Sequence, residues 1–247
     1  MFIFRLEKTF LMKVSLLSYT PNPELLISVA ARTSFKESSP TEIMKKLSDP
    51  ANAEKIKKDI RDLIRHNHLS PVEHASFTFS LEGVSRSLTH QLVRHRIASY
   101  TQQSQRFVKI NTQNDDWFVV PKSCDNEKFR KKMKQIASAY DDMIKEGVPP
   151  EDARFLLPNA TKTNIVVTMN ARELLHFFNL RCCARAQWEI REVATEMLKL
   201  VKQVAPTVFE NAGPSCMKGF CPEGDLMPEE CRKIGITEIQ KKFRELK

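Results

Sequence analysis

The chain has 247 residues, of which 41% are hydrophobic and 28% charged, with 39 Lys and Arg against 30 Asp and Glu for a net charge of +9. This composition supports a sizeable core and excludes a globally disordered chain. The cationic surplus suits an anionic partner: a nucleotide, a nucleic acid or a lipid surface. Six glycines, with neither GxGxxG nor a Walker A pattern, argue against a glycine-rich nucleotide loop, and no apolar run reaches the roughly 18 residues of a membrane span. Residues 1–11 read as an N-terminal extension ahead of Met12, an alternative initiator. Arg5, Glu7 and Lys8 break its apolar stretch, and no small-residue cleavage site follows. Residues 13–19 (KVSLLSY) read as a first strand, closed by Pro21-Asn22-Pro23, and a short helix is expected over 24–31.

Asp49-Pro50 supplies the N-cap and first position of the next predicted helix, whose buried face is Ile56, Ile60, Leu63 and Ile64. Residues 75–81 form a strand with Phe77 and Phe79 on one face and Thr78 and Ser80 on the other. A helix is expected over 85–98, strands over 106–110 and 117–120, and a charged amphipathic helix over 126–145 that stops at Gly147. A short helix begins at Pro149-Pro150 and ends near Pro158; a β-rich run covers 163–169. Apolar periodicity then continues as one long helix over 171–205, followed by an irregular polar tail. The pattern predicts one α+β domain with a mixed or antiparallel sheet flanked by helices.

The densest chemistry lies in residues 91–106, QLVRHRIASYTQQSQR. On a continuous helix Gln91, Arg94 and His95 share a face. Guanidinium forks suit phosphate bidentately, and Ser99 and Ser104 add hydroxyls in the segment that leaves the helix. A solvated basic helix is the bland alternative, and the glutamine–serine–arginine continuation weighs against it.

Arg94-His95-Arg96 followed by Ser104 and Arg106 resembles the signature of the flavin-dependent thymidylate synthases. Ala31-Arg32-Thr33-Ser34, Glu73-His74-Ala75-Ser76-Phe77 and Ala153-Arg154-Phe155-Leu156-Leu157-Pro158 resemble further segments of that family in the same order. So do Asn170-Ala171-Arg172, His176-Phe177-Phe178, Leu180-Arg181 and Ala186-Gln187-Trp188-Glu189-Ile190-Arg191. The similarity spans about residues 13–215. It implies a catalytic domain over 12–215, with 216–247 as a polar tail.

The resemblance further implies methylation of dUMP to dTMP in the cytoplasm. Methylenetetrahydrofolate is the implied carbon donor and FAD, reduced by NADPH, the hydride carrier. The implied assembly is a homotetramer with shared active sites, binding neither nucleic acid nor membrane. The implied flavin contacts are His74, Ser76, Arg94, His95, Arg96, Gln102, Asn170, Arg172 and His176. The implied dUMP pocket is Gln91, Arg94, Gln102, Gln103, Ser104, Gln105, Arg106, Arg154 and Arg181, with Arg181 as the catalytic residue that polarises uracil at N3 and O2. Gln102 stands where some members carry Glu, so that position offers an amide and no base. His176 stands where some carry Asn; either donates a hydrogen bond.

Ser104 reads as a substrate-binding hydroxyl in preference to a nucleophile, because no base is assured beside it. No metal is expected. Cys216, Cys221 and Cys231 lack a zinc-ribbon spacing and read, like Cys182 and Cys183, as reduced thiols. Trp188, Phe177 and Phe178 read as core. Two other readings compete: a nucleic-acid-binding protein using the basic helix, and an FAD-dependent NADPH oxidoreductase of different chemistry. The absence of RNA-recognition, zinc-finger or evident helix-turn-helix patterns disfavours the first.

Overall fold

The computed structural model describes residues 12–247; the expected extension, 1–11, lies outside the described residues. The order is β1 (Lys13–Tyr19), α1 (Pro23–Thr33), α2 (Pro40–Leu47), α3 (Ala53–Arg65), β2 (Ser76–Ser85), α4 (Arg86–Leu92) and β3 (Ala98–Gln102). It continues with α5 (Glu127–Lys145), α6 (Pro150–Ala153), β4 (Lys162–Asn170), α7 (Ala171–Arg181), α8 (Trp188–Val204), α9 (Glu229–Ile234) and α10 (Ile236–Arg244). The four strands make one sheet in the order β1-β2-β4-β3. Thr78 meets Thr168, and Gly83 N–H meets Asn164; this opposite progression makes β2 and β4 antiparallel. The α+β class stands.

The chain folds as two compact units. One comprises Leu81–Arg94 and Tyr100–Val166 with the described residues up to Lys13; the other comprises Val14–Ser80, His95–Ser99 and Val167–Lys247. In the first unit α5 lays Met133 and Ala137 against Trp117 and Phe118. Asn126 caps α5 by accepting from Phe129 N–H, and Gly147, at φ 88°, follows its end. In the second unit Val29 of α1 packs with Ile43 and Leu47 of α2. Asp59 of α3 takes the Arg32 guanidinium bidentately at 2.7 Å on both oxygens. The Glu24 carboxylate of α1 accepts from the Thr207 hydroxyl at 3.0 Å and the Val208 N–H at 3.2 Å, beyond α8. Phe77, Phe178 and Phe209 join edge-to-face in the same core. Gly213, at φ 154°, leaves room for the Phe243 ring of α10, which a Cβ there would meet at 3.0 Å.

Five expectations are corrected. The predicted 85–98 helix stops at Leu92, because the Tyr100 hydroxyl takes the Leu92 carbonyl at 2.8 Å and residues from Ala98 enter β3. Arg94 and His95 therefore lie in a connection after α4. No strand covers 106–110, where a turn over 105–107 is closed by Val108 N–H donating to Ser104 C=O, and 117–120 contribute a single bridge, Phe118 to Thr161; β3 pairs in their place.

The predicted 171–205 helix is two helices. Gln187 breaks it by accepting from the Glu189 and Ile190 N–H groups at 3.0 and 3.1 Å, so a new helix starts there. The tail is not irregular throughout, since α9 and α10 lie in it. Finally, α2 is an addition. Ser39 and Glu42 form a reciprocal capping box, with Pro40 at the first position.

Candidate functional site

The sequence-predicted residues fall into two groups, one in each unit. In the first, Arg86 opens α4 directly after its N-cap, Ser85. Its Nη2 donates to the Gln103 carbonyl at 2.7 Å, but its buried Nε has no partner. Burial and, after it, the positive charge of Arg154 both work against its charged form. Guanidinium nonetheless stays protonated, so a desolvated cation is held beside a second cation.

Around it Gln103 Oε1 accepts from Asn164 Nδ2 at 3.3 Å, and Gln102 Nε2 donates to the Thr89 and Thr163 hydroxyls at 3.2 and 3.4 Å. Arg106 is paired with Glu151 at 2.8 Å, and Arg154 Nε donates to the Glu151 carbonyl at 3.0 Å. Ser104 Oγ accepts from Arg106 N–H at 3.1 Å. Among the described residues no base is hydrogen-bonded to Ser104. Gln91 and Gln105 are half-buried and Arg94 is exposed.

In the second unit His95 is 4% exposed. Its Nδ1 lies 2.9 Å from Glu173 Oε1, and its Nε2 accepts from Arg181 Nε at 3.1 Å. This assigns the proton to Nδ1, donated to Glu173. Phe177 packs edge-on to the imidazole at 4.9 Å between ring centres. Burial dominates in holding His95 below its ordinary value; Glu173 opposes that shift, while Arg181 and His176 add to it. His95 is therefore neutral, and Glu173–His95–Arg181 is a chain that fixes one edge of the guanidinium. The ligand atoms of His95, Glu173 and His176 lie within 4.8 Å of one another. Both His95 nitrogens are already engaged, so the cluster serves orientation better than metal binding.

A cavity of about 930 Å³ opens in the same unit, at the upper end of the range for small-molecule sites. Asn170, Arg172 and His176 line it together with Arg65, Glu73 and the apolar Leu69 and Leu175. Asn170 also caps α7 by accepting from Glu173 N–H, and Arg172 is ion-paired with Glu73. His74, Ser76, His95 and Arg96 do not line it. His74 ends the turn Pro71–His74, exposed; Ser76 opens β2; Arg96 is exposed.

Two residues escaped the sequence reading. Arg86 carried a usable signal: a basic side chain in the first turn of a helix, where acidic residues are favoured. Glu173 carried none, since its partner His95 is 78 residues away.

The chain matches the thymidylate synthase complementing protein family over residues 15–207. It is 50% identical over 242 residues to a flavin-dependent thymidylate synthase of Geobacter sulfurreducens, covering 95% of this chain and 99% of that one. It is 48% identical to the enzyme of the same name from Clostridium tetani, covering 89% and 94%. A UMP/dUMP methylase of Streptomyces cacaoi, solved with 5-Br dUMP, shares the fold at a TM-score of 0.67 and 24% identity, over 82% of this chain and 94% of that one. The class is thus that of the thymidylate-forming methyltransferases. Within it, the chain belongs to the flavin-dependent thymidylate synthase family.

Proposed function

We propose that the protein methylates dUMP to dTMP, with methylenetetrahydrofolate as carbon donor and FAD, reduced by NADPH, as hydride carrier. The observation that carries this reading is the buried, unpartnered Arg86 Nε beside Arg154. A half-buried guanidinium disfavoured by burial and by a neighbouring cation defines a place for a dianion, and a nucleoside monophosphate supplies one. Arg86, Arg106 and Arg154 hold the phosphate, and Ser104 adds a hydroxyl. Gln91, Gln102, Gln103, Gln105 and Arg94 complete the nucleotide contacts.

Arg181 is the catalytic cation. Held at Nε by His95, its guanidinium is pre-oriented and meets charge developing on the pyrimidine with no reorganisation at that moment. Glu173 and His95 are positioning residues. Bound flavin supplies the hydride. The cavity's size and its mix of cationic, amide and apolar walls fit a flavin nucleotide, with Asn170, Arg172 and His176 as contacts. His74, Ser76, Arg94, His95, Arg96 and Gln102 belong to the same proposed set through the family resemblance.

We also propose a cytoplasmic homotetramer over the 12–215 domain. Phe107 and Phe155, 81% and 84% exposed, supply apolar surface for assembly, and light scattering on the purified protein reads its mass. Among the described residues no helix is long and apolar enough to cross a membrane.

The test is the visible spectrum of FAD-loaded, desalted protein with and without dUMP, followed by an anaerobic dTMP assay. A flavin spectrum perturbed by dUMP, together with dTMP formed only with folate and NADPH present, supports the reading. Bound flavin without dTMP formation in the complete mixture overturns it in favour of another flavoprotein chemistry.

A further inference from the structure

The cavity lined by Asn170, Arg172 and His176 has a further wall, built by the chain after α8: Asn211, Ala212, Gly213, Met217 and Lys218. The sequence pattern gave no role to this stretch or to the tail that follows it. All of it lies in the second unit, as does the rest of the cavity.

A wall made of loop and a single 3-10 turn needs bracing, and α10 supplies it. Phe243 of α10 is buried. A Cβ on Gly213 would meet its ring at 3.0 Å and Met217 Cγ at 3.1 Å, so both side chains fill the space beside the glycine. Gln240 Nε2 donates to the Cys216 carbonyl at 2.8 Å, and Arg244 Nε to the Asn211 side-chain oxygen at 3.2 Å. Lys202 of α8 ties the same two segments together, donating to the carbonyls of Glu210 at 3.4 Å and Arg244 at 3.2 Å. From the other side Ser215 Oγ donates to the Asn179 carbonyl of α7 at 3.0 Å. The turn Ser215–Lys218 is thus held by α7 and by α10 at once.

The charges along the cavity show what this wall can do. Arg172 is ion-paired with Glu73, and Arg65 with Asp62 at 2.6 Å. Glu173 is hydrogen-bonded to His95. Lys218 is the remaining charged side chain of the lining; it is exposed, and among the described residues no hydrogen bond or ion pair holds its Nζ. A cation already matched by a carboxylate has less to offer an incoming anion. An unmatched ammonium on a flexible stem, carried by a braced turn, is open to a phosphate.

We propose that Lys218 binds a phosphate of the flavin nucleotide, that α10 holds it in position, and that the pair makes the cavity prefer flavin nucleotides to riboflavin. The inference rests on the reading of this cavity as the flavin site. Riboflavin has the same isoalloxazine ring and ribityl chain as FMN and FAD but no phosphate, so a cation here acts on the difference between the ligands.

The experiment measures the affinity of full-length, flavin-free protein for FAD, FMN and riboflavin by fluorescence titration. Lys218→Gln should weaken FAD binding by about three- to tenfold and leave riboflavin unchanged, while Lys218→Arg should restore most of the loss. The loss should shrink as salt is raised, because an exposed charge is screened. Phe243→Ala should weaken FAD binding as well. Adding Lys218→Gln to it should then cost little more, since the two residues act through one contact. Gln240→Ala breaks the same brace more gently and takes the place of Phe243→Ala if that variant does not fold. Unchanged FAD affinity in Lys218→Gln, or an equal loss for riboflavin, overturns the phosphate contact. So does a raised KM for methylenetetrahydrofolate with FAD binding intact, which would hand the lysine to a carboxylate of the folate. Additive losses overturn the role of α10. Failure of the unmutated chain to bind any flavin overturns the reading of the cavity itself, and this inference with it.

Discussion

The Arg86 and His95 clusters each place a nitrogen-bearing side chain in a desolvated setting, and they solve that problem in opposite ways. His95 is satisfied at both ring nitrogens by Glu173 and Arg181. Arg86 keeps an unpartnered Nε and has another cation for a neighbour. A satisfied buried network stabilises and orients. An unsatisfied one costs stability until something fills it. The first cluster is finished by folding, whereas the second keeps an unfilled donor, which the proposed nucleotide would finish.

Removing what each cluster holds tests this contrast. Arg181→Ala should lower the rate of dTMP formation by about 10²–10³-fold while FAD remains bound; single-turnover assays and the flavin spectrum read the two separately. Turnover at the unmutated rate would end its catalytic role.

Arg86→Met should weaken dUMP binding by about tenfold or more, yet leave the ligand-free protein as stable as before, or more stable by up to about 1 kcal/mol. Calorimetric titration and urea unfolding measure the pair of effects. Lost stability would mean that Arg86 is an ordinary structural residue. Glu173→Leu should do the reverse, costing about 1–3 kcal/mol by stranding the His95 donor. It should also lower kcat more than it raises KM for dUMP; an unchanged kcat would remove Glu173 from the orienting chain.

The smallest expected effect is on pH dependence. His95 is held below its ordinary value of about 6.5, so the unfolded chain takes up the proton first as pH falls. The contribution is intact above that value and is lost as pH drops through it toward the lower folded value. His95→Asn should flatten the Tm–pH slope below about 6.5 relative to the parent; an equal slope would show that His95 is not the titrating group.

Local chemistry made much of the fold legible. Lys13–Tyr19 ends at prolines, Asn126 and Gly147 bracket α5, and β4 is rich in β-branched residues. The sequence misled where one side-chain contact interrupted a periodic run. Nothing in QLVRHRIASY shows that Tyr100 will cap Leu92, and nothing in RCCARAQW shows that Gln187 will start a helix afresh.

The site divides along the same line. Arg106 and Arg154 could be proposed from residue chemistry as phosphate partners, and Arg181 and His95 through the family resemblance carried by ordered segments. The Arg86 environment and the Glu173–His95 pair could not, because burial and cross-chain distance have no local spelling.

The second unit is assembled from three separated stretches of chain, and its Glu24 carboxylate grips residues 207 and 208. On a ribosome, α1 is made early and its anchor only after some four-fifths of the 247 residues. α1 can pack on α2 and α3 early, but Phe77 of β2 waits for Phe209, so this unit closes late and depends on contacts of long sequence separation. A nascent chain stalled before residue 207 should be readily digested by protease and dependent on holdase chaperones. Resistance should arrive abruptly once the segment carrying Thr207, Val208 and Phe209 clears the exit tunnel.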